Sequence, residues 1–413
     1  MEVLGCASPS DVVRVVAHAR SRGVPLAVRS GGHCFAGRSS TSGVVVDVSP
    51  MSRIDVGSGT VTVGAGVRLG QLYDALAARG VAIPAGCGET VGISGLTLGG
   101  GIGILGRSHG LTCDSLTSAN VVLAAGSAVH CDESSSSDLF WMLRGGGAPG
   151  VVTSLTFETV PAPSGTAVHL SWPFALAAPV LSAWQEWLAS APAAAAVSVV
   201  LSASGDLWRP PVVSVFGAVS DGPVEVLGGL VDRVGVEPTT LLLERGSHRS
   251  VKHALSGLDV HGGPEPEDGP LRLHNEYFRG PLPPFVVEAL VAGLAAGRLS
   301  GVSRELDFNP LGGAYNAVSP GATAYPHRDA LFLLKQSGTA WPGTSAADPW
   351  LDESYALTHP YGTGGAYPNF PDPTLVDEDR SYYLDNTERI QQVRRTYDPE
   401  GVFAPAYAAG RTN

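Results

Sequence analysis

Basic residues are scarce in this 413-residue chain: 26 Lys and Arg stand against 38 Asp and Glu, a formal net charge of −12. Two of those cations are lysines, Lys252 and Lys335. Phosphate-backbone binding needs a basic stripe and none is present, so no nucleic-acid partner is expected. The acid excess also weighs against a polyanionic substrate. No apolar run approaches the roughly 20 residues of a membrane span, so no membrane partner is expected either. The N-terminus lacks the basic-then-apolar pattern of a signal peptide, which reads as a cytoplasmic protein. Cysteine is sparse: Cys6, Cys34, Cys87, Cys113 and Cys131 are odd in number and form no CxxC pair. Taken singly they read as small buried residues. The eleven histidines include no HExxH or paired-ligand spacing, so no metal is expected.

What remains is a chain long enough for two or three domain-sized units with a substantial core. Ser10 is the expected cap of a helix running through Val12, Val13, Val16 and Ala19 to Gly23, and Pro25 to Val28 reads as a short strand delivering Arg29. A strand at Gly43 to Asp47, an alternating segment at Thr60 to Val63 and a helix from Leu69 to Ala78, closed by Gly80, follow. Ser118 to Ala125 is a buried-strand run. A serine-rich cap leads into a helix at Asp138 to Arg144, and Val151 to Val160 is another strand. After the boundary Pro161-Ala162-Pro163-Ser164, long apolar strands such as Val197 to Leu201 and Val212 to Val215 alternate with Pro-rich loops, one of them Gly262 to Pro270. Beyond Gly362 to Gly365 the chain turns polar and aromatic, with a helix from Ser381 to Thr396 ended by Asp398-Pro399.

Glycine is abundant, at 53 residues, and two glycine-dense loops dominate the first third. They are Arg29-Ser30-Gly31-Gly32-His33-Cys34 and Val91-Gly92-Ile93-Ser94-Gly95-Leu96-Thr97-Leu98-Gly99-Gly100-Gly101-Ile102-Gly103. Without a Cβ, such loops let backbone N–H groups close on a phosphate. Gly101 to Gly106 spells GxGxxG, but no hydrophobic strand precedes it and no acidic residue follows at about twenty positions, which rejects a dinucleotide fingerprint. Neither a phosphate-loop GxxxxGK[ST] nor a GxSxG elbow is present. The loops therefore point to a large phosphate-bearing cofactor, with His33 embedded in the first.

At this point Val28-Arg29-Ser30-Gly31-Gly32-His33-Cys34-Phe35-Ala36-Gly37 and Gly43-Val44-Val45-Val46-Asp47 resemble the flavin-binding segment of berberine bridge enzyme-like FAD-linked oxidases. These belong to the vanillyl alcohol oxidase and p-cresol methylhydroxylase superfamily. The likeness continues through the second loop, Gly110-Leu111-Thr112-Cys113-Asp114, Trp141 to Gly147, Gly150 to Thr153, Thr323 to Arg328, Tyr367-Pro368-Asn369-Phe370, Asn386 and Tyr397-Asp398-Pro399. It departs at Ala148-Pro149-Gly150, where many relatives carry Gly-Asn-Phe-Gly.

The resemblance implies an α+β, two-domain flavoprotein. Residues 1–163 would form the FAD-binding domain, of two α+β subdomains. Residues 164–364 would form a substrate domain, an antiparallel sheet covered by helices, and 365–413 a C-terminal segment returning to the first. It implies flavin contacts at Arg29, Ser30, Gly31, Gly32, His33, Cys34 and Gly37, at Cys87, Gly88, Val91, Gly92, Ser94, Gly95, Leu98, Gly99, Gly100 and Gly103, and at Asp114, Gly150, Val152, Asn369 and Asn386. His33 takes the place of the histidine that carries FAD through an 8α bond. The second tether of many relatives is a cysteine three residues before the valine, where this chain has Gly88 with Cys87 one position earlier, so single attachment is favoured and a Cys87 link stays open. Val91 occupies the position linked to oxygen access and is similar to the oxidases.

Such enzymes move a hydride from a small-molecule alcohol, amine or C–H centre, a sugar or a secondary metabolite, to flavin N5, and O2 returns the flavin with release of H2O2. A dehydrogenase with another acceptor, a flavin-dependent cyclase or isomerase, and a degenerate flavin-binding protein remain alternatives. Tyr367 is the first candidate base and Tyr315 the second. Arg328 is expected to form a structural salt bridge, and alternation along a strand is expected to bury only one of Glu276 and Tyr277. A monomer or a homodimer fits equally.

Overall fold

The computed structural model describes residues 1–261, 269–344 and 348–403. The expected Pro-rich loop at Gly262 to Pro270 lies outside the described residues except for Gly269 and Pro270. The chain begins with a parallel three-stranded sheet in the order Glu2–Gly5, Val44–Asp47, Leu26–Arg29. Helix Pro9–Ser21 buries Val12, Val16 and Ala19. Its cap is Ser8, not the expected Ser10: the Ser8 hydroxyl accepts from Asp11 N at 3.3 Å, and Pro9 fills the first turn, where its missing N–H costs nothing.

A five-stranded antiparallel sheet follows, in the order Ile54–Val56, Thr60–Gly64, Gly150–Glu158, Leu116–Leu123, Ala128–Asp132. Its inward residues Val61, Val63, Val121, Leu155 and Phe157 merge with those of the first sheet and of helices Leu69–Ala77 and Ser137–Leu143 into one core.

Residues 164–340 contain a seven-stranded antiparallel sheet in the order Thr240–Ser247, Ser164–Trp172, Val212–Ser220, Ala195–Ala203, Val302–Pro310, Phe332–Ala340, Leu271–Phe278. Helices Ala177–Leu188, Pro284–Ala295 and Trp350–Thr358 cover one face, where Trp184 packs edge-on against Phe308 and Phe332. Strands Ala195–Ala203 and Val212–Ser220 are nearly continuous apolar runs because they are buried on both faces, and the polar strand Leu271–Phe278 is buried on both faces over most of its length. For the same reason Glu276 and Tyr277 are both buried, against expectation. Alternation sends them to opposite faces, but His359 and Gly364 cover the first while Tyr325 and His327 cover the second.

The helix expected over Ser381 to Thr396 is broken into Glu378–Tyr383 and Thr387–Tyr397. Leu384 between them has φ 45°, a left-handed conformation that no helix continues through. The Asn386 amide holds this corner by donating to Pro320 O at 2.8 Å and Thr323 O at 3.1 Å. The segment then returns to the first core, with Tyr397 donating to Asp138 at 2.7 Å and Arg20 paired to Glu400. Among the described residues no helix is long and apolar enough to cross a membrane.

Candidate active site

The two glycine loops meet. A Cβ on Gly31 would lie 2.3 Å from the Gly92 nitrogen, and one on Gly92 would lie 2.3 Å from Ser30 Oγ. Only glycine permits this approach. The hydroxyls of Ser30 and Ser94 then both donate to Ala65 O at 2.7 Å, pinning the loops to one carbonyl. Within the second loop, Ile93–Leu98 is a short helix rather than open loop, with Ile93, Ser94 and Thr97 buried.

Between the loops lies a cavity of about 550 Å³. Its wall includes Ser30, Gly31, Gly32, His33 and Cys34 from the first loop and Val91, Gly92, Ser94, Gly95, Leu98 and Gly99 from the second. Gly150, Val152, Tyr367 and Asn369 complete the expected set that the fold brings together. Asn369 seats against Gly99, where an added Cβ would fall 2.3 Å from its Oδ1, and donates to Leu96 O at 2.9 Å.

Tyr367 is buried and its phenolic oxygen accepts three N–H groups: Gly101 N at 3.1 Å, Ile102 N at 3.2 Å and Asn369 Nδ2 at 3.0 Å. Burial outweighs the three donors, which pull the other way, and leaves this phenol raised to about 12. Three donors on one phenolic oxygen suit a phenolate better than a phenol, which needs an acceptor for its own proton.

The other expected residues stand off the cavity wall. Tyr315 donates to Gly103 O at 2.9 Å and accepts from Gly103 N at 3.0 Å, so one backbone unit occupies its hydroxyl, and burial raises its pKa. Asp114 forms a bidentate pair with Arg328 at 2.8 and 2.7 Å, the structural salt bridge expected of that arginine. Arg29 donates to Ser39 O and Ser40 Oγ, and Gly37, at φ 69°, turns the same loop. Gly88 and Gly100 accept backbone bonds from Val91 N and Cys113 N. Asn386 anchors the C-terminal corner described above. Cys87 packs on the cluster of Val251 and Leu255, and burial raises its thiol pKa.

Sequence reading missed Phe35, Arg38, Gly147, Asn309, Phe370 and Phe403 in the wall. Phe370 follows Asn369 directly and was within reach of the same motif. Asn309 comes from strand Val302–Pro310, and nothing local marked it.

These walls fit FAD. The volume falls within the roughly 300–1,000 Å³ of cofactor sites, and the Gly31–Gly92 contact presents backbone where side chains would otherwise fill the space. His33 is exposed to the cavity it lines.

Comparison with known proteins agrees. The FAD binding domain family matches residues 2–132, and the family of berberine and berberine-like proteins matches residues 366–406. The uncharacterized FAD-linked oxidoreductase YgaK of Bacillus subtilis (strain 168) is 30% identical, over 97% of this chain and 89% of the relative. The xylooligosaccharide oxidase of Myceliophthora thermophila C1, solved with xylobiose, superposes with a TM-score of 0.84 at 26% identity, covering 98% of this chain and 90% of that one. The glucooligosaccharide oxidase of Acremonium strictum, with its 6-S-cysteinyl, 8α-N1-histidyl FAD, gives 0.84 at 25% identity over 97% and 89%. With both family regions lining one cavity and this likeness running nearly end to end, the chain belongs to the berberine bridge enzyme-like FAD-linked oxidoreductases.

Proposed function

We propose that this enzyme is an oxidase of a small hydroxylated molecule, a sugar in the first instance, with Tyr367 as the base and O2 as the electron acceptor. The three N–H donors on the Tyr367 oxygen carry the reading, because they stabilise the phenolate that must accept the substrate proton. Bound FAD supplies the hydride acceptor at N5 and, once reduced, the electron pair that turns O2 into hydrogen peroxide. The chain's own residues orient and deprotonate. His33 is the proposed covalent attachment, through one tether, since Cys87 stands off the cavity wall. The glycine loops and Asn369 would hold the cofactor, and Val91 lines the cavity at the position implied in oxygen access. We assign residues 1–163 and 365–413 to the cofactor side and 164–364 to the substrate side. The likeness to a xylooligosaccharide oxidase solved with xylobiose and to a glucooligosaccharide oxidase supports the sugar class.

The test begins with anaerobic mixing against a panel of reducing sugars that includes xylobiose, followed by admission of air. Rapid bleaching of the flavin, then rapid recovery with peroxide, is expected. Tyr367→Phe is expected to slow bleaching by about 10²–10⁴-fold. Recovery that is slow in air would sink the oxidase assignment, and unchanged bleaching in Tyr367→Phe would sink the base. Flavin that dissociates on acid denaturation would remove the His33 bond.

A further inference from the structure

Strand Leu271–Phe278 is an edge of the seven-stranded sheet, and the segment bearing Tyr367 is fastened to it by four consecutive residues. Tyr277 exchanges backbone bonds with Gly365 and Thr363 at 3.1 and 2.9 Å. Glu276 accepts from Gly364 N at 2.7 Å. Asn275 accepts from Tyr367 N at 2.6 Å and donates to Phe370 O at 2.7 Å. His274 meets Asp372 with Nδ1 at 2.7 Å.

The last attachment differs in kind. The other ring nitrogen, Nε2, faces a second carboxylate, Asp352, at 3.2 Å. A carboxylate only accepts, so each needs an N–H from the ring, and only the imidazolium carries both. The His274 and Asp372 side chains are 8% and 2% exposed, which removes most solvent screening. Arg272 holds Asp352 from outside at 3.0 Å, and Tyr355 stacks on the ring at 4.5 Å. Tyr355 in turn stacks on His359, whose partner is Glu276. Across the ladder the neighbour is neutral Gln336, engaged with Thr358 and Ser354.

We propose that His274, as an imidazolium bridged between Asp372 and Asp352, is a positioning residue that latches the Tyr367 segment to the sheet edge and loosens it on losing one proton. Its bearing on catalysis rests on Tyr367 being the base. Loss of that proton turns one ring nitrogen into a lone pair facing a carboxylate oxygen, breaks that hydrogen bond and removes the cation that separates Asp372 from Asp352. Burial opposes the ring's charge, but Asp372 and then Asp352 outweigh it and hold the imidazole above its ordinary value. A value raised on folding gives a contribution complete below about pH 6.5 and lost as pH rises through the raised value.

Hydrogen exchange of the holoenzyme, read on the peptide spanning 363–372 and corrected for intrinsic rates, tests this from about pH 5.5 to about pH 9. Wild-type protection is expected to fall about tenfold, the loss of one hydrogen bond between charged groups, with a midpoint above the ordinary histidine value. Asp352→Asn alters a side chain 59% exposed and is expected to move the midpoint to lower pH without disturbing the fold. His274→Gln is expected to keep protection low throughout. A wild-type profile without a step, or an unmoved midpoint in Asp352→Asn, overturns the latch. The measurement needs no substrate: Tyr367→Phe is expected to keep wild-type protection while losing sugar oxidation, so a failed base assignment shows in the second readout alone.

Discussion

The glycine wall of the cavity closes by backbone contact between Gly31 and Gly92, whereas the tyrosine wall is held by hydrogen bonds from residues as far as 266 positions apart. The first leaves no room for one added carbon. The second is an assembly of side-chain bonds, each removable without refilling space. Damage to the glycine wall should therefore appear as lost cofactor and stability, and damage to the tyrosine wall as lost rate in a protein that still binds flavin.

Gly31→Ala is the strongest way to break this contrast. The new Cβ meets an immovable backbone nitrogen, so a loss of about 1–3 kcal/mol or more, with flavin-poor protein, is expected. Flavin content and melting temperature report it, and a fully loaded Gly31→Ala enzyme would refute the close contact. Next comes Asn369→Ala, which removes one donor from Tyr367 and orphans the Leu96 carbonyl. Flavin content should hold through the proposed His33 tether and the glycine loops even without the Asn369 contact, while substrate-driven bleaching slows about 10- to 100-fold, since a hydrogen bond to a charged acceptor is worth about 1.5–3 kcal/mol. An Asn369→Ala enzyme that loses flavin but not rate would reverse the two walls.

The smallest expected effect lies behind the glycine wall. Lys252, from helix His248–Ser256, is fully buried, donates to Ala85 O and Gly86 O at 2.7 and 2.9 Å, and sits 3.9 Å from the Tyr73 ring centre. Burial brings its amine down to about 8. Between that value and the free-lysine value of about 10.4 the unfolded chain binds more protons than the folded one, so this group makes stability rise with pH. The difference in melting temperature between wild type and Lys252→Met should accordingly shift in favour of wild type as pH climbs through that window. A constant difference would mean that the folded and unfolded chains hold this proton equally well, so that burial does not lower the amine.

Local rules served the elements well where one segment supplied its own signal. Helix Leu69–Ala77 and strand Val44–Asp47 followed from periodicity and glycine punctuation. They failed where distant contact overrode the pattern. The polar run after Ser381 reads as one helix, yet the Asn386 amide, drawn to carbonyls of residues 320 and 323, turns the chain at Leu384. Glu276 and Tyr277 alternate as a strand requires but are both buried, because His359 and Gly364 cover one face and Tyr325 and His327 the other. His274 carried no signal at all, since its partners lie 78 and 98 residues away.

The glycine loops and His33 were enough to indicate a flavin by resemblance, because a tight backbone approach must be written in consecutive residues. The order of the tyrosines, Tyr367 before Tyr315, came from resemblance alone. Both are buried phenols beside the same glycine-rich turn, and no local pattern gives a physical reason for that order. Tertiary structure separates them: Gly103 takes and gives one hydrogen bond to Tyr315, while Tyr367 receives three N–H groups beside the cavity. A hydroxyl's chemistry depends on the donors around it, and those donors arrive from parts of the chain that only folding brings together.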